Sequence, residues 1–315
     1  MTVTLPSLFA RLVPLSPTLA FLLLLFAAPA LPGIAVKTKS LFTGRKGAPI
    51  LQLYYDLWKL TRKGTVYSTT TTWVFRAGPI IALTSVGAAS LFVPLDGKSA
   101  IAHFDGDLVA FAGLLALGRF ALVLAGLDTG SSFEGMGASR EVTVATFAEP
   151  ALFLCFLALV LATGKLDLSD MLGIPLAQAW PQSTASLTLV GLSLFVLLLA
   201  ENSRVPVDDP ATHLELTMIH EVIVLDHSGP DLAIVLYGST LKLALFGALV
   251  VCLFVPRPSV PPYTSIALLL VGLALVAVAV GVVESVMARL RISRIPQLLV
   301  GAASLATLGL ILLLR

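Results

Sequence analysis

Eight ionisable residues crowd into the stretch ENSRVPVDDPATHLELTMIHE: Glu201, Arg204, Asp208, Asp209, His213, Glu215, His220 and Glu221. The stretch follows directly on the apolar run LVGLSLFVLLLA. Carboxylates, imidazoles and a guanidinium at this density can exchange protons or present a charged face to a partner. Metal binding is the poorer fit. His213, His220 and His227 are spaced by seven residues, whereas structural zinc ligands sit closer together.

A second set of charges lies inside apolar runs: Arg119, Glu149, Glu201, Lys242 and Glu284, with Glu141 at a run's entry. An ionisable group in a membrane span costs roughly 2.5–3.5 kcal/mol on insertion scales, so its presence calls for a reason. Pro150 follows Glu149 and removes a helical hydrogen bond beside that carboxylate. All of these except Lys242 fall in the inner half of their helices. Several acids at similar depth suggest a hydrated path for protons entered from the cytoplasm. The alternative is local pairing that only fixes helix packing.

The elements that must position these groups are membrane helices. The chain is 57% hydrophobic and only 12% charged, with a mean hydropathy of +0.97. Its continuous apolar runs have the length of about 20 residues that a helix needs to cross the hydrocarbon, not the short alternating segments of a barrel. The expected class is an all-α polytopic membrane protein, one transmembrane domain over residues 1–315. Eight spans are expected at about 16–36, 72–93, 108–127, 142–163, 185–204, 232–255, 263–285 and 297–314. A net charge of +2 gives no electrostatic case for nucleic acid. Cys155 and Cys252 fall within spans and read as small apolar fillers. No CxxC or Cys-His spacing offers an iron–sulfur or zinc site.

Most of the 20 Lys and Arg residues lie in alternate loops. The positive-inside rule then places the N-terminus outside and the basic loop 37–71 in the cytoplasm. The first apolar segment ends APALPG like a signal peptide, but the basic residues after it resist translocation, so it is read as a retained span. Within the basic loop Ile50, Leu53, Tyr54, Leu57 and Trp58 share one helical face, which predicts an amphipathic helix on the inner interface. The next inner loop, GLDTGSSFEGMGASRE, is rich in glycine and serine and is expected to hold no regular element. The outer loop with Asp96, His103, Asp105 and Asp107 reads as a solvated turn, and MARLRISRIPQ as a basic topology anchor.

GLDTGSSFEGMGASRE, AEPALFL, AENSRVPVDDPATHLELTMIHE, VESVMARLRISRIPQLL and GRKGAPILQLYYDLWKL resemble the membrane subunit of energy-converting [NiFe]-hydrogenases and formate hydrogenlyase. That subunit is homologous to the H subunit of respiratory complex I. The resemblance runs from about residue 37 to 300. It departs from the complex I motif AE-x-N-R-x-P-F-D-x-P-E-x-E: Ser203 intervenes before Arg204, Val207 replaces the aromatic residue, and Ala211-Thr212-His213 replaces the second acidic cluster. These departures favour the hydrogenase branch and put a quinone site in doubt.

The resemblance implies a non-catalytic subunit of an oxidoreductase complex in the bacterial inner membrane. It would bind no cofactor or metal itself; [NiFe] and iron–sulfur clusters would sit in the hydrogenase large and small subunits and an iron–sulfur subunit, with antiporter-like subunits beside it in the bilayer. The junction with the peripheral arm would be formed by Arg140, Arg204, Asp208, Asp209, His213, Glu215, His220 and Glu221. The coupling path would use Glu141, Glu149, Glu201, Lys242, Glu284 and Arg119. The alternatives are the quinone-chamber subunit of a complex I-type reductase and a stand-alone ion transporter. The latter would be built from inverted repeats, and none is evident.

Overall fold

The computed structural model describes residues 15–208, 218–257 and 259–314. Every regular element among them is a helix: α1 (Leu15–Ala27), α2 (Ala30–Phe42), α3 (Gln52–Thr61), α4 (Trp73–Ser90), α5 (Asp107–Asp128), α6 (Ser132–Thr163), α7 (Leu168–Met171), α8 (Ile174–Glu201), α9 (His220–Ile223), α10 (Gly229–Phe254), α11 (Pro262–Val286) and α12 (Ile295–Leu313), the last preceded by a 3-10 turn at Ile292–Arg294.

Among the described residues six helices are long and apolar enough to cross a membrane, and seven spans result if the bent pair α1–α2 counts as one. The predicted eighth position belongs to α4, which has 18 residues and carries Arg76, Pro79 and several small polar residues. Its apolarity is modest because one face is given to protein instead of lipid. Gly78 meets Ala125 and the Ala121 carbonyl of α5, and Gly118 of α5 meets Ala82 and Ser85. Small residues let two backbones approach closely in a membrane, where apolar burial alone drives little association. At one end of this pair, Asp128 accepts hydrogen bonds from Thr72 N (2.6 Å), Thr72 Oγ1 (2.8 Å) and Phe75 N (3.3 Å), so the end of α5 caps the start of α4.

The first predicted span is two helices meeting at 48°. Pro29 has no N–H for the Leu25 carbonyl, which receives the Tyr237 hydroxyl of α10 at 3.0 Å instead. The Phe26 carbonyl accepts from Tyr54 of α3. The amphipathic helix expected around Ile50–Trp58 is α3, and it is fastened to the bend it caps. The span predicted at 185–204 is the second part of α8, after a break at Ser183 (φ −125°, ψ 28°) two residues past Pro181.

Two loop expectations need correction. Most of the glycine-rich GLDTGSSFEGMGASRE segment is helical: α5 runs to Asp128, Gly130 turns the chain at φ +70°, and α6 begins at Ser132. Packing overrides the poor helix propensity of glycine here, because Gly126 and Gly137 seat Ile223 of α9. A Cβ at either position would stand 2.9 or 3.0 Å from the Ile223 side chain. The outer loop is not simply a solvated turn either. Asp96 is buried, accepting from Lys98 N, Ser99 N and Ser16 Oγ, and buried Asp107 accepts from Leu168 N at 2.7 Å. These acids staple the 91–107 loop to Ser16 and to the start of α7. The two cysteines are buried within the helix bundle, and neither is a purely apolar filler: Cys155 Sγ donates to Ser193 Oγ at 3.3 Å, and Cys252 Sγ accepts from Arg257 Nη2 at 3.2 Å.

Candidate functional site: an ionic chain between two cavities

Arg119 sits on α5 in the interior, its side chain only 8% exposed. Three carboxylates converge on it. Glu201, at the end of α8, receives Nη2 at 2.6 Å on both oxygens. Glu149 of α6 receives Nη1, and Glu141, two turns earlier on α6, lies 3.7 Å from Nε. Lys242 of α10 completes the group, with Nζ 2.7 Å from Glu201. Four helices therefore contribute two cations and three carboxylates. Charge-assisted bonds of this kind are about twice as strong as neutral ones, and in the bilayer they replace the hydration that the groups have lost.

The pairing also divides space. On one side lies a cavity of about 60 Å³ lined by Glu141, Asn202, Ser203, His220 and Lys242 as well as the pair itself. On the other is a cavity of about 200 Å³ between α5 and α6, lined by Ala112, Gly113, Leu152, Phe153 and Glu149. Arg119 and Glu201 line both. Glu149 is the outermost member, its side chain 43% exposed against 6% for Glu201. An ionic bridge shared by two cavities is suited to passing protons, since each carboxylate can be reached from a different side.

Sequence reasoning placed all five of these residues on the coupling path, and the structure brings them together. It does not bring Glu284 to them. Buried Glu284 of α11 pairs instead with Arg204 (3.4 Å) and Lys39 (4.0 Å). Arg204 was expected at the junction with a peripheral arm, and Lys39 was read only as a loop charge.

Asp208 is buried too. It pairs with Arg289 at 2.8 Å and accepts the backbone N–H groups of Ile219 (2.9 Å) and His220 (3.3 Å). Arg140 donates to the Met218 carbonyl at 2.8 Å, and Leu290 N to Pro206 O at 2.9 Å. The basic segment MARLRISRIPQ is thus more than a topology anchor: it holds the loop that carries His220. Asp209, His213 and Glu215 lie outside the described residues. Glu221, one residue into α9, is engaged with its surroundings.

Sequence reasoning missed Glu134, which is fully buried and receives Asp226 N at 3.0 Å. It weighed His227 only as one of three spaced histidines; the residue is buried against Phe75 with ring centroids 4.0 Å apart and planes 14° from parallel. Burial pushes the His227 imidazole below its ordinary pKa, and that of His220 likewise. Neither signal is visible in a hydropathy profile, because both residues stand beside loops.

Fold and site define a polytopic α-helical membrane protein with an ionic chain through its interior. The chain belongs to the family described as NADH dehydrogenase, whose profile matches residues 16–314. It is 32% identical to Hydrogenase-4 component C of Escherichia coli over 276 residues, 85% of each chain. Formate hydrogenlyase subunit 4 of the same organism is 29% identical over 310 residues, 95% of this chain and 98% of that one. The H subunit of the NADH-quinone oxidoreductase from Rubrobacter xylanophilus is 26% identical over 182 residues, covering 58% and 54%. Among solved structures, a chain of the archaeal membrane-bound sulfane sulfur reductase, a respiratory membrane complex, shares the fold with a TM-score of 0.79 at 20% identity over 95% of this chain and 98% of that one.

Proposed function

We propose that this chain is the membrane-anchor and coupling subunit of a complex I-like hydrogenase complex in the bacterial inner membrane. It docks the peripheral [NiFe] and iron–sulfur arm and links electron transfer there to proton or sodium movement. The observation that carries the reading is the Arg119–Glu201–Lys242 bridge, held inside the bilayer between two cavities. Two hydrogenase-type relatives, each matched over most of its length, supply the class of complex.

In this reading the N-terminus lies outside and the α2–α3 loop, α9 and the Arg289 segment face the cytoplasm. Arg140, Arg204, Asp208 and Glu221 border the junction with the arm, with Asp209, His213, Glu215 and His220 in the same loop. Glu141, Glu149, Glu201, Lys242 and Arg119 form the path, and Glu284 supports the junction from beneath. Antiporter-like subunits would meet the bundle where Glu149 is exposed.

The redox groups are assigned to partner subunits. Among the described residues no three His, Cys, Asp or Glu side chains converge on a point where they could hold a metal. That donor set does not fit a cluster or a nickel–iron centre, and no electron-transfer step is routed through this chain. The quinone-reductase alternative draws on a relative matched over only 58% of this chain.

Purification of the tagged chain in mild detergent, with its partners identified by mass spectrometry and hydrogen evolution assayed, tests the proposal. A nickel-binding large subunit with hydrogen activity is the expected result. An NADH-oxidising module with quinone reduction would move the chain to the complex I branch, and isolation of the chain alone would return it to the transporters.

A further inference from the structure

The smaller cavity holds an imbalance that the ion pairs do not resolve. His220 Nε2 and Asn202 Oδ1 are both shielded from outside solvent, and neither has a hydrogen-bonding partner among the described residues. Both residues line the same cavity, as do Glu141 and Lys242, and apolar side chains such as Leu83, Leu122 and Ile234 form most of the rest of its wall. The Asn202 amide is oriented by its own nitrogen, which donates to the Leu198 carbonyl at 2.8 Å and leaves the oxygen free. Ser203, in the left-handed region at φ +48°, turns the chain directly after Asn202 and also lines the cavity. Buried polar atoms almost always have partners, protein or ordered water.

About 60 Å³ is room for roughly two to four water molecules, and each needs two to four polar contacts. We propose that this cavity holds water and that His220 is a proton-relay residue, joining the cytoplasmic loop through that water to the Arg119–Glu201 bridge. The inference rests on the coupling reading above and names the group through which the loop reaches the path.

The chemistry balances simply. Nε2 takes the excess proton of a hydronium on the loop side, whose O–H bond breaks to leave water, then gives that proton to a water beside Glu141, where a new O–H bond forms. One N–H bond forms and breaks, one unit of charge moves, and no electrons change hands. Imidazole suits the task because its ordinary titration lies near neutrality. Glu141 of α6 and Asp208 of the loop favour the imidazolium, while Lys242 of α10 and burial oppose it. The ring therefore rests neutral near pH 7, and a proton leaving it must pass through water. Its position is set from the cytoplasmic side: Asp208, paired with Arg289, holds the His220 and Ile219 N–H groups, and Arg140 holds the Met218 carbonyl. Those three are positioning residues. A shift of the docked arm against them moves the imidazole relative to the water.

The test uses the intact complex. Deuterium exchange at the imidazole C2 carbon, followed by mass spectrometry across pH 5–9, reports both water access and titration of each histidine (a span bracketing the ordinary value of about 6.5). His220 is expected to exchange and to titrate below that value. Asn202→Leu, which removes the facing oxygen and occupies part of the cavity, should slow exchange at His220 several-fold and leave His227 unchanged. A His220 that does not exchange in the unmodified complex overturns the hydrated cavity.

In inverted vesicles, His220→Gln should lower protons moved per hydrogen evolved by roughly tenfold or more. An unchanged ratio overturns the relay. If the unmodified complex moves no protons with hydrogen turnover, the coupling reading falls and the relay with it; the exchange data decide the hydrated cavity independently. Should His220→Gln fail to assemble, the Asn202→Leu vesicles answer in its place: a lowered ratio supports the relay and an unchanged one overturns it.

Discussion

Glu201 accepts from Arg119 and Lys242 at once, so its charge holds two cations in the bilayer. Glu201→Gln removes that charge at nearly constant volume. Arg119 retains Glu141 and Glu149, so the complex should still assemble. Proton movement in inverted vesicles should fall by roughly tenfold or more, and wild-type coupling in this variant would remove Glu201 from the path. His227 makes a prediction in pH. Its folded-state pKa lies below the unfolded value of about 6.5. The native chain therefore binds fewer protons than the unfolded one between those two values, and stability is lost as pH falls from the unfolded pKa through the folded one. His227→Phe, which keeps a ring against Phe75, should flatten the dependence of the thermal midpoint of the detergent-solubilised chain over that window. An unaltered slope would mean that His227 binds protons equally in the folded and the unfolded chain. At this scale the sequence was most informative where burial is expensive. Arg119, Glu149, Glu201 and Lys242 stood out because they interrupt apolar runs. Lys39 and Arg289 did not, since a loop lysine or arginine looks the same whether it pairs with a buried acid or faces water.

The helices divide in the same manner. Spans with long apolar runs were legible to within a few residues, as with α10 and α11. The start of α6 was not, because its glycines read as a loop until Ile223 is seen lying against them. A paired substitution tests that account. Gly137→Val should lower the thermal midpoint by an overpacking penalty of about 1–3 kcal/mol, since its Cβ would press on Ile223 at 3.0 Å. Gly135→Ala, two residues away with open space around its Cβ position, should raise stability by roughly 0.5–1 kcal/mol through helix propensity. Equal effects at both sites would show that glycine in this helix is not there to admit α9. The break in α8 was hidden for another reason: Pro181 precedes the span expected at 185–204, so nothing in the pattern shows helix on both sides of it or marks Ser183 as the kink.

For the whole molecule, the test is whether the peripheral arm stays bound. Asp208→Ala removes the carboxylate that ties Arg289 to the Ile219–His220 backbone, and under the docking proposal the arm should then wash from membranes at lower salt than in the wild type. Full retention, read by immunoblot of the arm after washing, would separate Asp208 from docking. The bundle also has a dimension to satisfy. From Leu15 to Phe42 the first two helices would run roughly 42 Å if straight, well beyond the roughly 30 Å of hydrocarbon. An over-long rod can tilt, deform the bilayer or fold, and this one folds, at Pro29. Two tyrosines hold the crease, one from α10 and one from the interfacial helix. The crease is therefore also a hinge pin: straightening the pair to its full length would break the bonds of Tyr237 and Tyr54 to the Leu25 and Phe26 carbonyls, so the bend and α3 can move only together.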